Sequence, residues 1–306
     1  MKLFGALGLL LIGVLNMAAA CVDVNANEFN HIDWDENAYE FSAVMEQTIN
    51  FENKTEFNLD NPAGEIVIEG WDQPTVQLNA TIWAKKESTL NSIEIKVEES
   101  ADTVSVRSIN NKKNHRSWKV DYVINVPLGS SLDVDQGAGQ IDIGNHSGNV
   151  RVSMGAGQIN LENLLANQLH VDLGAGEANV TTLEGQEISV DIGAGQLNLK
   201  PQTSLMFENV DVDVSTGEAN LYGVEAKRIH VDIGMGHADL RLYPTSSYNI
   251  HADVGIGNVS IHGFDDMDLR VNGFIGRNAR AVLGNGDGEI EIDVGTGDID
   301  VHPWSE

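Results

Sequence analysis

Carboxylates return at a fixed place in the second half of this 306-residue chain. Asp135, Asp172, Asp191, Asp213, Asp232, Asp253 and Asp293 each stand two residues before a Gly-x-Gly or Ser-x-Gly. Carboxylates in a row can do three kinds of chemistry. They can hold Ca²⁺, which takes six to eight oxygen ligands. They can act as a catalytic pair, as in retaining glycosidases, where two carboxyls stand ~5 Å apart. They can also simply present a charged face. A catalytic pair should interrupt a repeat, whereas these aspartates constitute it, and no aromatic residue that could stack on a sugar shares their line. A lyase would use Lys or Arg, of which the chain has 18 against 46 Asp and Glu. No Ser/His/Asp or Cys/His signature is visible, so no catalytic residue is assigned. A carbohydrate-active β-helix enzyme is the lesser alternative.

The cation reading, a Ca²⁺-stabilised scaffold, rests on Asp172, Asp191, Asp213, Asp232 and Asp253. Leu283 to Ile290 (LGNGDGEI) resembles part of the Gly/Asp-rich calcium nonapeptide repeat, but it occurs once. His170, His230 and His251 each precede an Asp by two residues and so share its strand face. With His237 they read as polar side chains of a solvated face rather than as ligands, and no metal site is assigned.

These residues sit in a recurring phrase: apolar, Asp, apolar, Gly-x-Gly, polar, then apolar–Asn/Asp–apolar. Val171 to Val180 (VDLGAGEANV), Val190 to Leu199 (VDIGAGQLNL) and Val231 to Leu240 (VDIGMGHADL) are three copies. The first corner position falls at Gly137, Gly155, Gly174, Gly193, Ser215, Gly234, Gly255 and Gly295, in steps of 18, 19, 19, 22, 19, 21 and 40. A degenerate copy, Leu269 to Gly276, splits the last step. A period near 20 signals stacked repeats. Alternating apolar residues on either side of the corner are two short strands, and the glycines allow the bend between them. One coil cannot bury its own apolar face, so neighbours must. Adjacent strands ~4.8 Å apart make nine coils a stack on the order of 43 Å long. The chain is therefore all-β: a single-stranded β-solenoid, β-helix-like, with coils of about 19–21 residues.

Stacking turns positions into lines. The first is Asp135, Ser153, Asp172, Asp191, Asp213, Asp232, Asp253, Asn272 and Asp293. The second is Gln140, Gln158, Glu177, Gln196, Glu218, His237, Asn258 and Asp298. The third is Asp142, Asn160, Asn179, Asn198, Asn220, Asp239, Ser260 and Asp300. Alternation puts the first and third on the outer face. Neighbouring like charges there repel by roughly 0.9 kcal/mol per pair before screening. Raised carboxylate pKa values, bound cations or hydrogen bonds to the corner amides would relieve this. The repeat breaks only at the degenerate copy, where Arg270, Phe274, Arg277 and Arg280 cluster in an acidic chain. They read as a corner filler with neutralising arginines, or as a partner-docking patch.

Upstream, Lys2 and the apolar stretch Leu3 to Met17 make residues 1–20 a signal peptide. Ala18-Ala19-Ala20-Cys21 resembles a bacterial lipoprotein signal, in which Cys21 is acylated after cleavage. Ala18 stands where such signals usually carry Leu, so ordinary secretion stays open. Cys21 is the only cysteine, so no intrachain disulfide can form. Residues 21–50 read as an acidic tether, 51–128 as an irregular β region capping the solenoid, 129–302 as the repeat and 303–306 as a tail. The phrase appears early as Leu59 to Ile68 (LDNPAGEIVI), with Pro62 in the first glycine place. A net charge of −28 excludes nucleic acid and anionic lipid surfaces as partners.

Asn61-Pro62-Ala63-Gly64-Glu65-Ile66-Val67-Ile68-Glu69-Gly70-Trp71, the entry Val126-Pro127-Leu128-Gly129 and the Gly-x-[IL]-x-[LIV] coils together resemble the bacterial DUF4097/DUF2807 group of candidate adhesins. The similarity runs over about residues 55 to 300. It implies a β-solenoid of the cell envelope, and the signal before Cys21 adds a lipid anchor on the periplasmic or outer surface. From the residues themselves no enzymatic activity is expected, and no cofactor other than Ca²⁺ on the Asp line. The expected partner is an envelope or surface component, protein or glycan, with homo-oligomers through the solenoid ends as a further route. Many relatives carry Ser or Thr at the Asp position, so the acidic line belongs to this chain rather than to the family.

Overall fold

The second glycine of each corner decides how a coil bends. In a computed structural model of the protein, Gly176 has φ +139°, a conformation L-residues avoid. A Cβ there would lie 1.8 Å from the Gly157 carbonyl oxygen of the next coil. The corner thus needs glycine twice over, for its dihedral and for the close approach of neighbouring backbones. The structure describes residues 39–112, 117–181, 183–201, 206–265, 267–273 and 276–304.

The chain begins with β1 (Phe41–Asn50), β2 (Glu56–Trp71), β3 (Thr75–Ala84), a four-residue helix α1 (Glu87–Leu90), β4 (Ile93–Glu99), β5 (Thr103–Asn110) and β6 (Trp118–Pro127). The coils follow as β7 (Ser131–His146), β8 (Val150–Thr181, two coils), β9 (Leu183–Lys200), β10 (Met206–Tyr222), β11 (Glu225–Leu242) and β12 (Tyr248–Ile261). Then come β13 (Asp268–Asn272), β14 (Arg277–Leu283) and β15 (Gly288–Pro303). The all-β reading holds, with α1 as the single helix among the described residues. Residues 41–50, read from the sequence as the end of the tether, are strand: β1 pairs antiparallel with β3 along its whole length.

One open sheet runs β1-β3-β6-β2-β7-β8-β9-β10-β11-β15-β12-β14-β13, with β5 also pairing β2 and β4. From β2 through β12 the neighbours are parallel and in register, corner on corner, as in Gly217 against Gly236. Inward positions from both arms of each bent strand make the core. In β9 these are Val190, Ile192, Leu197 and Leu199, all at most 2 % exposed.

The order of the last coils departs from chain order. Successive stacking predicts β12 on β11, then the degenerate copy, then Gly295. Instead β15 lies between β11 and β12, so Asp232 faces Asp293, which in turn faces Asp253. The degenerate copy is no coil. β13 and β14 form an antiparallel pair, and β14 continues antiparallel onto β12. Cross-strand charge accounts for the choice. β11 offers Arg228 and His230, and β15 brings Glu289 and Glu291 into register with them. β12 would have brought Asn249 and His251 to those places.

Candidate functional site

The outer line of carboxylates is real and longer than the coils alone. In spatial order it runs Asp60, Asp135, Ser153, Asp172, Asp191, Asp213, Asp232, Asp293 and Asp253, all exposed or half-exposed. Arg107 closes one end, Nε to Asp60 Oδ2 at 3.0 Å. Asn278 closes the other, its Nδ2 donating to Asp253 Oδ1 at 2.5 Å. Asn272, expected in this line, lies in it one strand further on: Asn278 of β14 pairs with Asp253 and Asn272 of β13 pairs with Asn278. Partial burial, then Asp211, Asp191 and Asp232, raise the Asp213 carboxyl above its ordinary 3.8, with His230 opposing. Asp293 is raised likewise, by partial burial and then Asp253, Glu291 and Asp232, again against His230.

The line two residues earlier mixes signs. It reads Asp133, Arg151, His170, Ser189, Asp211, His230, Glu291, His251 and Arg280. Arg151 stands 4.0 Å from Asp133, and His230 Nδ1 stands 3.8 Å from Glu291. These alternating charges temper the repulsion along the aspartates. His170, His230 and His251 all lie here, and His237 lies 3.7 Å from Asp300 on another line. Among the described residues no three His, Cys, Asp or Glu side chains converge to hold a metal ion. Where Asp60, Asp135, Ser153 and Asp172 meet the corner residues Pro62 and Gly137, the surface sinks into an open groove of about 450 Å³.

The third line corrects the sequence reading. Alternation assigns it to the outer face, yet Asp142 is fully buried and Asn220 and Asp239 are 6 % and 7 % exposed. The second line covers it. Gln140 Nε2 donates to both Asp142 oxygens, and Gln158 and Gln196 donate to Asn160 and Asn198. Beneath them runs a one-way amide ladder: Asn220 to Asn198, Asn198 to Asn179, Asn179 to Asn160, and Asn160 to Asp142, at 3.0, 2.8, 3.1 and 2.6 Å. A chain of amide donors all pointing one way ends well on a group that only accepts, as a carboxylate does.

Two residues beyond that line, the surface turns basic and aromatic. Trp304 stacks on Tyr222 with centroids 5.5 Å apart, Lys200 lies 5.3 Å over Trp304, and the Arg241 guanidinium lies 4.3 Å over Tyr222. Arg241 and His302 both reach buried Asp239, at 2.8 and 3.1 Å. Sequence reasoning missed this clasp, although a Trp placed just past the last copy was its visible signal.

Of the arginine cluster, Arg270 and Arg280 face each other across β13 and β14 and are exposed. Arg277, three residues from Arg280, takes the opposite face opposite buried Val254. Phe274 lies outside the described residues, as do Cys21 and segment 1–20. No described helix is long and apolar enough to cross a membrane.

Among solved structures, a "putative lipid binding protein" of Parabacteroides distasonis ATCC 8503 is 14 % identical with a TM-score of 0.49, over 87 % of this chain and 98 % of that one. A "putative adhesin" of the same organism is 11 % identical with a TM-score of 0.48, over 84 % and 97 %. Another from Bacteroides fragilis NCTC 9343 is 10 % identical with a TM-score of 0.44, over 85 % and 97 %. No curated protein matches the chain significantly. The family model described as Toastrack DUF4097 matches residues 55–302, well over half of the chain, and the protein belongs to that family.

Proposed function

We propose that the protein is an exported, lipid-anchored and non-enzymatic β-solenoid whose acidic face serves adhesion or cell-envelope interaction. One observation carries this reading: eight of the nine outer-line positions are Asp, Ser153 being the exception, all exposed or half-exposed and with no aromatic neighbour in the line. Such a face suits long-range attraction of a basic surface rather than enclosure of a small substrate. In the test, the protein and its Asp172→Asn/Asp191→Asn/Asp213→Asn/Asp232→Asn variant are mixed with isolated bacterial envelopes at low and high salt. Binding should weaken with salt and fall at least about tenfold in the variant. Undiminished binding by the variant would end the proposal. Anchoring through Cys21 is tested separately, since Cys21→Ser should move the protein from the membrane fraction to the soluble one.

A second reading is favoured by the raised carboxyls of Asp213 and Asp293, which an ion would relieve: a Ca²⁺-stabilised surface scaffold. Thermal unfolding with millimolar Ca²⁺, with Mg²⁺ and with chelator separates the two. A rise of the midpoint specific to Ca²⁺ would make the line an ion site, because only a ligand preferring the folded state stabilises it.

A further inference from the structure

We propose that the place of β15 is a strand-exchange site, which the C-terminal strand of a second copy of this chain can fill. β15 follows β11 and β12 in the chain, yet it sits between them, parallel to both. Its corner Gly297 is in register with Gly236 on one side and Gly257 on the other. All three are copies of one phrase, so the slot offers its backbone donors and acceptors to any strand carrying that phrase.

Side chains narrow the choice to β15 itself. Glu289 faces Arg228, Glu291 lies 3.8 Å from His230, Asp300 lies 3.7 Å from His237, and His302 reaches Asp239 at 3.1 Å. Were β12 to close onto β11 instead, the shared register would set His251 against His230 and Asn249 against Arg228, so that neither cation would face a carboxylate. The slot therefore discriminates against the neighbouring copy and selects the C-terminal strand.

β15 is fastened at its two ends. At the start, Gly284-Asn285-Gly286-Asp287 carries the chain past the end of β12, with φ +56° and +74° at its two glycines. Ser247 Oγ holds this hinge, donating to Asp287 Oδ2 at 2.8 Å. At the finish, Trp304 lies between Tyr222 and Lys200, and its backbone N–H donates to the Leu242 carbonyl at 2.6 Å. A β15 that leaves its own slot for that of a neighbour remakes all of these contacts except those of the hinge. The balance is then set by the entropy of association and by the hinge alone, and short hinges favour exchange. This self-association is distinct from the acidic face and from pairing through the sheet ends.

The test uses the full chain with Cys21→Ser and the in-register pair His237→Cys/Asp298→Cys, one residue on β11 and one on β15. The protein is held at high concentration just below its unfolding midpoint, oxidised, and run on a non-reducing gel. Disulfide-linked dimers or ladders that grow with concentration are expected, and Trp304→Ala should speed their appearance about tenfold by opening the clasp. Only intramolecular disulfides at every concentration, with and without Trp304, would overturn the proposal. If the cysteine pair fails to fold, chains bearing two different tags are mixed instead, with and without Trp304→Ala. Mixed pairs that form faster without Trp304 support exchange. An absence of mixed pairs, or pairs indifferent to Trp304, overturns it.

Discussion

Asn179 shows how one side chain can hold coils in register. It donates to Asn160 and accepts from Asn198, so it is a link between two others. Replacing Asn179 by Leu removes two links of the ladder, while Gln158 still donates to Asn160 and Asn198 still donates to Glu177. The expected loss is about 1–3 kcal/mol by urea unfolding, two hydrogen bonds at roughly 0.5–1.5 kcal/mol each. A loss within ~0.3 kcal/mol would show the ladder to be ornamental. Two kinds of titrating residue give stability opposite pH slopes. Asp213 and Asp293 are raised above 3.8, so the folded state binds protons more tightly there and stability falls as pH climbs through the window above 3.8. His146 is buried with Nε2 donating to the Ser130 carbonyl at 2.7 Å, and burial pushes it below 6.5. The unfolded chain therefore takes the proton first, and stability falls as pH drops below 6.5. Asp213→Asn should melt higher than the wild type at pH 7 and lose that advantage below pH 3.8. His146→Gln should flatten the decline below 6.5, and an unchanged acid limb would remove His146 from the account.

Among the elements, the bent strand with its glycine corner repeats most closely and tolerates least. Gly176→Ala must combine a positive φ with a Cβ 1.8 Å from a carbonyl oxygen. A loss of at least ~3 kcal/mol is expected, beside ~0.5 kcal/mol or less for Ala175→Ser, whose side chain is exposed on the same corner. Equal costs at the two sites, measured by denaturant titration, would mean the coils can move apart. The strands of the repeat and the fourfold β3–β6 region were legible, since β3, β4, β5 and β6 each contain the apolar alternation that marks them. β1 was not, because its burial comes from pairing with β3 rather than from its own weak pattern. The Asp line of the candidate site was equally legible. The clasp and the buried Asn line were not, because both depend on which residues from other coils lie beside them.

The chain as a whole carries a net charge of −28. Self-repulsion of that size opposes the compact state and is screened within ~10 Å at 0.1 M salt. Raising NaCl from about 10 to about 150 mM should therefore raise the melting midpoint, and less so in the fourfold Asp→Asn variant. A midpoint indifferent to salt in both proteins would mean that the alternating line of Arg151, His230 and Arg280 already balances the aspartates. The sheet ends differ in character. β13 is five residues long and carries Asp268 and Arg270, the charged short edge that discourages further pairing, whereas β1 presents ten residues with Val44 exposed.

By itself the sequence determined the period, the corner and the alternation, because each follows from residues adjacent in the chain. It also determined that one face would carry a line of aspartates. Only the tertiary structure decided the order in which the copies stack, because copies of one phrase are interchangeable to the backbone. Charges opposite one another across strands then select β15 over β12 as the neighbour of β11. The same dependence on cross-strand partners hid the Asn ladder that ends on Asp142 and the seat of Trp304. A side chain's partner in a stack lies about twenty residues away or, for β15, more than sixty, and alternation along one strand cannot name it.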